Sequence, residues 1–149
     1  MTSVHFTSHT NEWHTPQDFF DRLDEEFHFT LDAAATPENA KCDRYFTQSD
    51  DGLAQSWIGE RVWCNPPYGR EIGQWIKKAA ISQAEVVVML IPARTDTKAW
   101  HRWIFGNSNC EVRFVAGRLK FAGGGQGKDA PFPCAVIVFR DQHHSPVRS

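Results

Sequence analysis

Residues 86–91 read Val-Val-Val-Met-Leu-Ile with no polar interruption and run into Pro92. Six residues fall far short of the ~20 that a membrane-spanning helix needs, and β-branched side chains in succession favour an extended backbone. A strand apolar on both faces has no side to show to water. It belongs at the centre of a parallel sheet covered on both sides, which sets the fold class as α/β. At 149 residues and 41% hydrophobic content, one core is expected, so 1–149 reads as one domain, with residues 1–11 and 141–149 as polar, flexible tails. No basic-then-apolar leader opens the chain, and no membrane partner is expected. A cytoplasmic protein follows, with a monomer favoured and the oligomeric state otherwise open.

The flanking sequence supplies alternating helices and strands. Thr15-Pro16-Gln17-Asp18 predicts a helix start, with Thr15 as cap and Pro16 in the first helical position. Phe19, Phe20, Leu23 and Phe27 then fall on one face. Residues 28–32 alternate like a strand, and Thr36-Pro37-Glu38-Asn39 repeats the helix-start pattern, leaving Ala33-Ala34-Ala35 as the turn between them. A strand, a tight small-residue turn and a helix N-terminus make a nucleotide-site geometry. Residues 44–47 read as a short strand, 50–52 as a turn, and Leu53 and Trp57 stand at helical spacing. Arg61 to Cys64 reads as a strand, and Ile72, Trp75, Ile76, Ala79 and Ala80 mark a helix. Thr95 or Asp96 caps a helix holding Trp100, Trp103 and Ile104. Residues 111–115 predict a further strand, and residues 118–121 and 134–139 a hairpin around the glycine-rich loop 123–128. The order argues for a mostly parallel, doubly wound sheet with an antiparallel edge hairpin.

Charge is divided along the chain. Residues 1–60 hold three Lys or Arg against twelve Asp or Glu, whereas residues 61–149 hold thirteen against six. A basic half suggests a surface for polyanions. Cys42, Cys64, Cys110 and Cys134 form no CxxC pair and read as reduced filler. His5, His9 and His14 are too loosely spaced for a metal site, and no metal is expected.

The chemistry concentrates in Asn65-Pro66-Pro67-Tyr68. Two prolines fix φ and carry no N–H, holding the chain rigidly extended after the strand with its carbonyls free. The Asn65 amide oxygen and the Pro66 carbonyl can then both accept hydrogen bonds from one planar amino group, and Tyr68 offers a face for stacking. Two acceptors beside an aromatic describe a pocket for an exocyclic amine on a base. The same dipoles stabilise positive charge developing on its nitrogen.

Six stretches in order carry a family resemblance over residues 12–140: Glu12-Trp13-His14-Thr15-Pro16, Leu31-Asp32-Ala33-Ala34, Asp50-Asp51-Gly52-Leu53, Asn65-Pro66-Pro67-Tyr68-Gly69, residues 90–97 and Gly117-Arg118-Leu119-Lys120-Phe121. With them the chain resembles the phage and prophage Dam-type DNA adenine-N6 methyltransferases. The resemblance implies a compact class I, Rossmann-like methyltransferase fold, S-adenosylmethionine as cofactor, and adenine extruded from double-stranded DNA as acceptor in a bacterial host cell. It implies Asn65, Pro66, Pro67 and Tyr68 as catalytic residues, and Thr15, Pro16, Asp32, Ala33, Asp50 or Asp51, and Asn65 around the cofactor. DNA contacts are expected from Arg94, Arg102 and Arg113 and from the hairpin loop with Arg118, Lys120 and Lys128; Phe121 or Phe132 would face Tyr68 across the base. The chain departs from the wider methyltransferase pattern in having Ala33-Ala34-Ala35-Thr36 where a glycine-rich loop is usual. An amino-group methyltransferase acting on RNA or protein glutamine, and a non-catalytic DNA-binding derivative, are the alternative readings.

Overall fold

The computed structural model describes residues 13–123 and 130–141. In chain order it contains β1 (Trp13–His14), α1 (Gln17–Phe27), β2 (Leu31–Asp32), β3 (Arg61–Cys64), α2 (Ile72–Ile81), β4 (Val86–Pro92), a π-helical turn (Trp100–Ile104), β5 (Cys110–Phe114), β6 (Ala122–Gly123) and β7 (Cys134–Arg140), with 3-10 turns at Gln48–Asp50 and Gly52–Ala54. Five strands form one mixed sheet in the order β2-β3-β4-β7-β5, and β1 pairs with β6 apart from it. β2, β3 and β4 are parallel. β7 runs antiparallel between β4 and β5.

All seven residues of β4 are buried. Val86, Val88 and Leu90 pack with Phe20 and Phe27 of α1 on one face of the sheet, and Val87, Met89 and Ile91 with Trp75, Ile76, Trp100 and Ile104 on the other. This two-sided burial is what the apolar run requires.

Other expected elements take different forms. The helix start at Thr36 closes as a turn: the Thr36 N–H donates to Asn39 Oδ1 at 2.8 Å, and the Asn39 N–H to Thr36 Oγ1 at 3.2 Å. These side chains satisfy the local backbone in place of helical bonds. The chain then passes back along β2, where Tyr45 forms an isolated parallel bridge to Asp32. His28 is the left-handed cap ending α1, with φ 53°, so the following strand shortens to Leu31–Asp32. Pro16, not Thr15, occupies the N-cap of α1, and no side chain caps that end. Neither Thr95 nor Asp96 caps the π-helical turn, for which Ala99 is the N-cap. Among the described residues, 118–121 and 134–139 do not pair as the expected hairpin, although the Ala130 N–H donates to the Leu119 carbonyl at 2.8 Å across the base of the loop. β7 is buried at every position from Cys134 to Phe139, so it takes strand partners on both edges, while the segment before the glycine-rich loop pairs with β1 at Trp13↔Gly123. The 123–128 loop from Gly124 onward, residues 1–11, and the tail beyond Asp141 lie outside the described residues.

Gly52 ties the loop after β2 to the sheet. A Cβ there would stand 2.3 Å from the carbonyl oxygen of Ala33, and the Gly52 carbonyl accepts the Trp57 indole N–H at 3.0 Å. Gly52→Ala is expected to lower stability by ~1–3 kcal/mol, the usual cost of forcing a methyl into a packed site. The measurement is urea unfolding beside Gly59→Ala, where positive φ costs something but space is open. Equal losses in the two variants would show that the Ala33 contact does not matter.

Candidate active site

Parallel strands leave a sheet at the same edge, and ligands of open α/β sheets bind outside their carboxyl ends. The register Asp32↔Trp63 puts the exit of β2 beside the exit of β3, two residues before Asn65. A cleft of about 740 Å³ opens there, lined by Thr15, Asp32, Ala33, Asp51, Asn65, Pro66, Pro67, Tyr68 and Trp75 among others. The fold thus brings residues from Trp13 to Trp75 into one cavity. Pro16 and Asp50 are not among the lining residues. Asp50 instead accepts the Thr47 N–H at 2.8 Å and the Thr47 hydroxyl at 3.0 Å, closing the box of its own 3-10 turn. Asp51, whose backbone is left-handed with φ 58°, does line the cleft, so of the two acids it is the one available to a ligand.

Asp32 is 2% exposed. Its Oδ2 accepts the Lys41 backbone N–H at 2.9 Å and its Oδ1 the Ala34 N–H at 3.3 Å. Burial outweighs these bonds and pushes its carboxyl up to about 6. Raised above its ordinary 3.8, this carboxyl contributes stability below that value, lost as the pH rises through about 6. An ionised Asp32 is a charge in want of a cation.

Asn65 is held from both sides. Its Nδ2 donates to the Trp13 carbonyl and to Thr15 Oγ1 at 3.0 Å. The Tyr68 hydroxyl lies 2.9 Å from Asn65 Oδ1 and 3.0 Å from the Leu90 carbonyl. Thr15, 5% exposed, therefore serves Asn65 instead of capping α1. The amide oxygen keeps a lone pair beyond the one Tyr68 engages, and Pro66 carries no N–H.

Tyr68 is buried, its ring set edge-on to Phe132 at 5.7 Å and to Phe121 at 6.4 Å. Phe121 is fully buried and cannot cover a second face of a base. Trp13 meets both phenylalanines edge-on, at 5.6 and 5.5 Å. Of the expected DNA contacts, Arg94 lies over Phe132 at 5.8 Å, at the rim of this aromatic group, and Arg102 over Trp103 at 4.9 Å. Arg118 reaches the Ala130 carbonyl at 3.5 Å, Lys120 is exposed, and Lys128 lies outside the described residues. Arg113 is committed elsewhere: it grips Glu26 through two bonds of 2.7 and 2.8 Å and Glu111 at 2.7 Å, holding both carboxyls below their ordinary range.

Two cleft residues carry signals that the sequence patterns hide. Lys41 is half-buried and donates to Gln17 Oε1 at 2.8 Å; burial lowers its ammonium below the usual lysine range, against the opposing pull of the Asp32 charge, and in sequence it is a lone lysine in a polar stretch. Trp75 reads as one apolar position of a helix, yet its indole N–H is buried with no hydrogen-bond partner among the described residues.

Residues 3–149 match the family model described as DNA N-6-adenine-methyltransferase (Dam). The chain belongs to the Dam family. It is 38% identical over 93 residues to the DNA N-6-adenine-methyltransferase of Escherichia phage T1, covering 59% of this chain and 38% of the phage protein. It is 36% identical over 66 residues to YfdM, a methyltransferase-like protein of Escherichia coli (strain K12), covering 39% of this chain and 71% of that one. The match to the phage protein thus spans well under half of the latter's length, while the Dam family model takes in every described element of the cleft.

The buried hydroxyl of Tyr68 yields a direct expectation. Tyr68→Phe removes a donor shared by Asn65 Oδ1 and the Leu90 carbonyl, and should lower stability by ~1–3 kcal/mol, the penalty for stranding a buried acceptor. Chemical denaturation measures it, and an unchanged midpoint would show that the hydroxyl is dispensable to the fold.

Proposed function

We propose that the protein transfers the methyl group of S-adenosylmethionine to the N6 amino group of an adenine extruded from double-stranded DNA. The observation that carries this reading is the Asn65 amide, fixed at the cleft with an oxygen lone pair available beside the Pro66 backbone. Family membership supports adenine in DNA as the acceptor. The sheet, in which β2, β3, β4 and β5 run one way and β7, second from the edge, runs against them, supports a class I, Rossmann-like methyltransferase fold covered on both faces.

The cleft suits the cofactor. Its volume of about 740 Å³ has room for a nucleoside-sized donor with a base beside it, and the buried Asp32 is matched by a cationic amino group. Asp32 and Ala33 would hold the methionine end near Thr15, and Asp51 the adenosine end. S-adenosylmethionine supplies an activated methyl group when bound. The protein's own part is to hold and orient the amine. Asn65 Oδ1 and the Pro66 carbonyl accept its two N–H bonds, and as positive charge grows on the nitrogen the same two dipoles stabilise it. No strong base is required, because the methylated nitrogen is cationic and acidic enough to give up its surplus proton to water. A duplex hides the adenine amine, so the base is drawn out of the stack, and Tyr68 bounds the pocket that receives it. Arg94 at the rim, with Arg102, Arg118, Lys120 and Lys128, is assigned to DNA contacts. Such a protein works where the host DNA lies, in the bacterial cytoplasm.

Asn65→Ala is expected to fold normally and to lower turnover by on the order of 10²-fold or more, since a preorganised polar partner in a closed site is worth several kcal/mol in the transition state. Methyl transfer from labelled S-adenosylmethionine into duplex DNA, with digestion to identify methyladenine, tests the function and the residue together. Label recovered in guanine, or none, would reject the reading; full activity in the variant would remove Asn65 from the chemistry.

Cofactor affinity is also expected to depend on pH through Asp32. Above about 6 the carboxylate is ionised and pairs with the amino group; below it, binding must first expel a proton. Affinity should therefore fall by up to about tenfold per pH unit as the solution is acidified through that value. Asp32→Asn should bind at least tenfold more weakly at pH 8 and lose the slope. Titration calorimetry between pH 5 and pH 8 decides this, and a flat wild-type profile would place the amino group elsewhere.

A further inference from the structure

An asparagine amide has two orientations that exchange its oxygen and nitrogen, and only one presents an acceptor to an amino group. Turned the other way, Asn65 would set its own N–H bonds against the amine it is meant to hold. Three contacts bear on the choice. The Trp13 carbonyl accepts and cannot donate, so the atom facing it must be Nδ2. Thr15 Oγ1 takes the second Nδ2 proton at 3.0 Å. On the opposite edge, the Tyr68 hydroxyl reaches Oδ1 at 2.9 Å. The first two come from β1 and the residues after it, some fifty positions upstream of Asn65. β1 is itself held in place by pairing with β6. Thr15 is 5% exposed, so its hydroxyl is fixed by packing and cannot wander to another partner.

We propose that Thr15 is a positioning residue which, together with the Trp13 carbonyl, locks the Asn65 amide with its oxygen toward the amine. The proposal rests on the reading of Asn65 as the amine's acceptor and assigns Thr15 a role apart from the cofactor. It also gives the short β1–β6 ribbon a purpose: the ribbon carries the carbonyl that makes one amide orientation impossible.

Thr15→Val keeps the shape of the side chain and deletes the acceptor; Thr15→Ser keeps the acceptor and deletes a methyl. The side-chain amide protons of Asn65, assigned in a ¹⁵N-correlated NMR spectrum by their loss in Asn65→Ala, report the clamp without reference to activity. In the wild type both protons should be protected from exchange. In Thr15→Val one should shift and exchange at least tenfold faster, and in Thr15→Ser both should stay near their wild-type behaviour. In methyl-transfer assays Thr15→Val should lose about tenfold in kcat with little change in KM for DNA or in cofactor affinity, while Thr15→Ser stays within about twofold. Added to Asn65→Ala, Thr15→Val should cost nothing more, because a residue acting through Asn65 has nothing left to position. Should Thr15→Val prove too unstable to study, Thr15→Ala against Thr15→Ser gives the same comparison. Unchanged Asn65 resonances in Thr15→Val, a loss confined to cofactor affinity, or full additivity in the double variant would each overturn the proposal. A wild-type protein that transfers no methyl group to DNA would remove the proposed function, while the amide resonances would still decide whether the clamp exists.

Discussion

The structure depends on hiding both faces of β4. Seven consecutive buried residues leave no face for water, so helix α1 must cover one side and α2 with the π-helical turn the other. At ~25 cal/mol per Å² of apolar surface, two-sided burial of such a strand is among the larger favourable contributions available to a chain of this size. Once β4 is central, its parallel neighbours follow. Because β2, β3 and β4 run the same way, the residues leaving β2 and β3 emerge side by side. The cleft is therefore a consequence of core packing, and the chemistry is placed where the backbone leaves the sheet.

That position explains why costly groups gather there. Asp32 is a buried carboxyl pushed up to about 6, Asp51 holds a left-handed backbone, and the Trp75 indole N–H is buried with no partner among the described residues. Each is unfavourable in a free protein, and each lines the same cavity. Strain and desolvation concentrated in one cleft are what a binding site needs, since a ligand of matching charge and hydrogen bonding relieves them. Left-handed non-glycine backbone also occurs outside the cleft, at His28, which ends α1, and at Gln83.

Charge behaves differently from what its distribution along the chain suggests. The basic half of the sequence is partly neutralised within the fold: Arg113 and Arg140 engage Glu26 and Glu111, and Arg61 engages Glu85. These exposed pairs contribute little stability individually, yet they withdraw cations from the surface open to a polyanion. Arg94 is distinguished by place, as it rests on Phe132 beside the aromatic group that includes Tyr68.

Period and composition determined a good deal by themselves. The apolar run 86–91, the helical spacing of Ile72 to Ala80 and of Phe20 to Phe27, and the proline pair after Cys64 each specify local structure through forces acting within a few residues, and those elements stand where the sequence places them. Side-chain pairings were decided only in three dimensions. Thr15 looks like a helix cap because a threonine before a proline can serve as one, but Asn65, fifty residues away, takes its hydroxyl. Thr36 and Asn39 look like a helix start because the same groups that cap a helix can also close a turn on each other. The place of β7 was open for a related reason: an apolar strand specifies that it is buried, not which neighbours bury it, and pairing with β4 and β5 covers more of it than a hairpin would. Local sequence sets what a segment can satisfy, and the tertiary fold decides which of several chemically equivalent partners arrives.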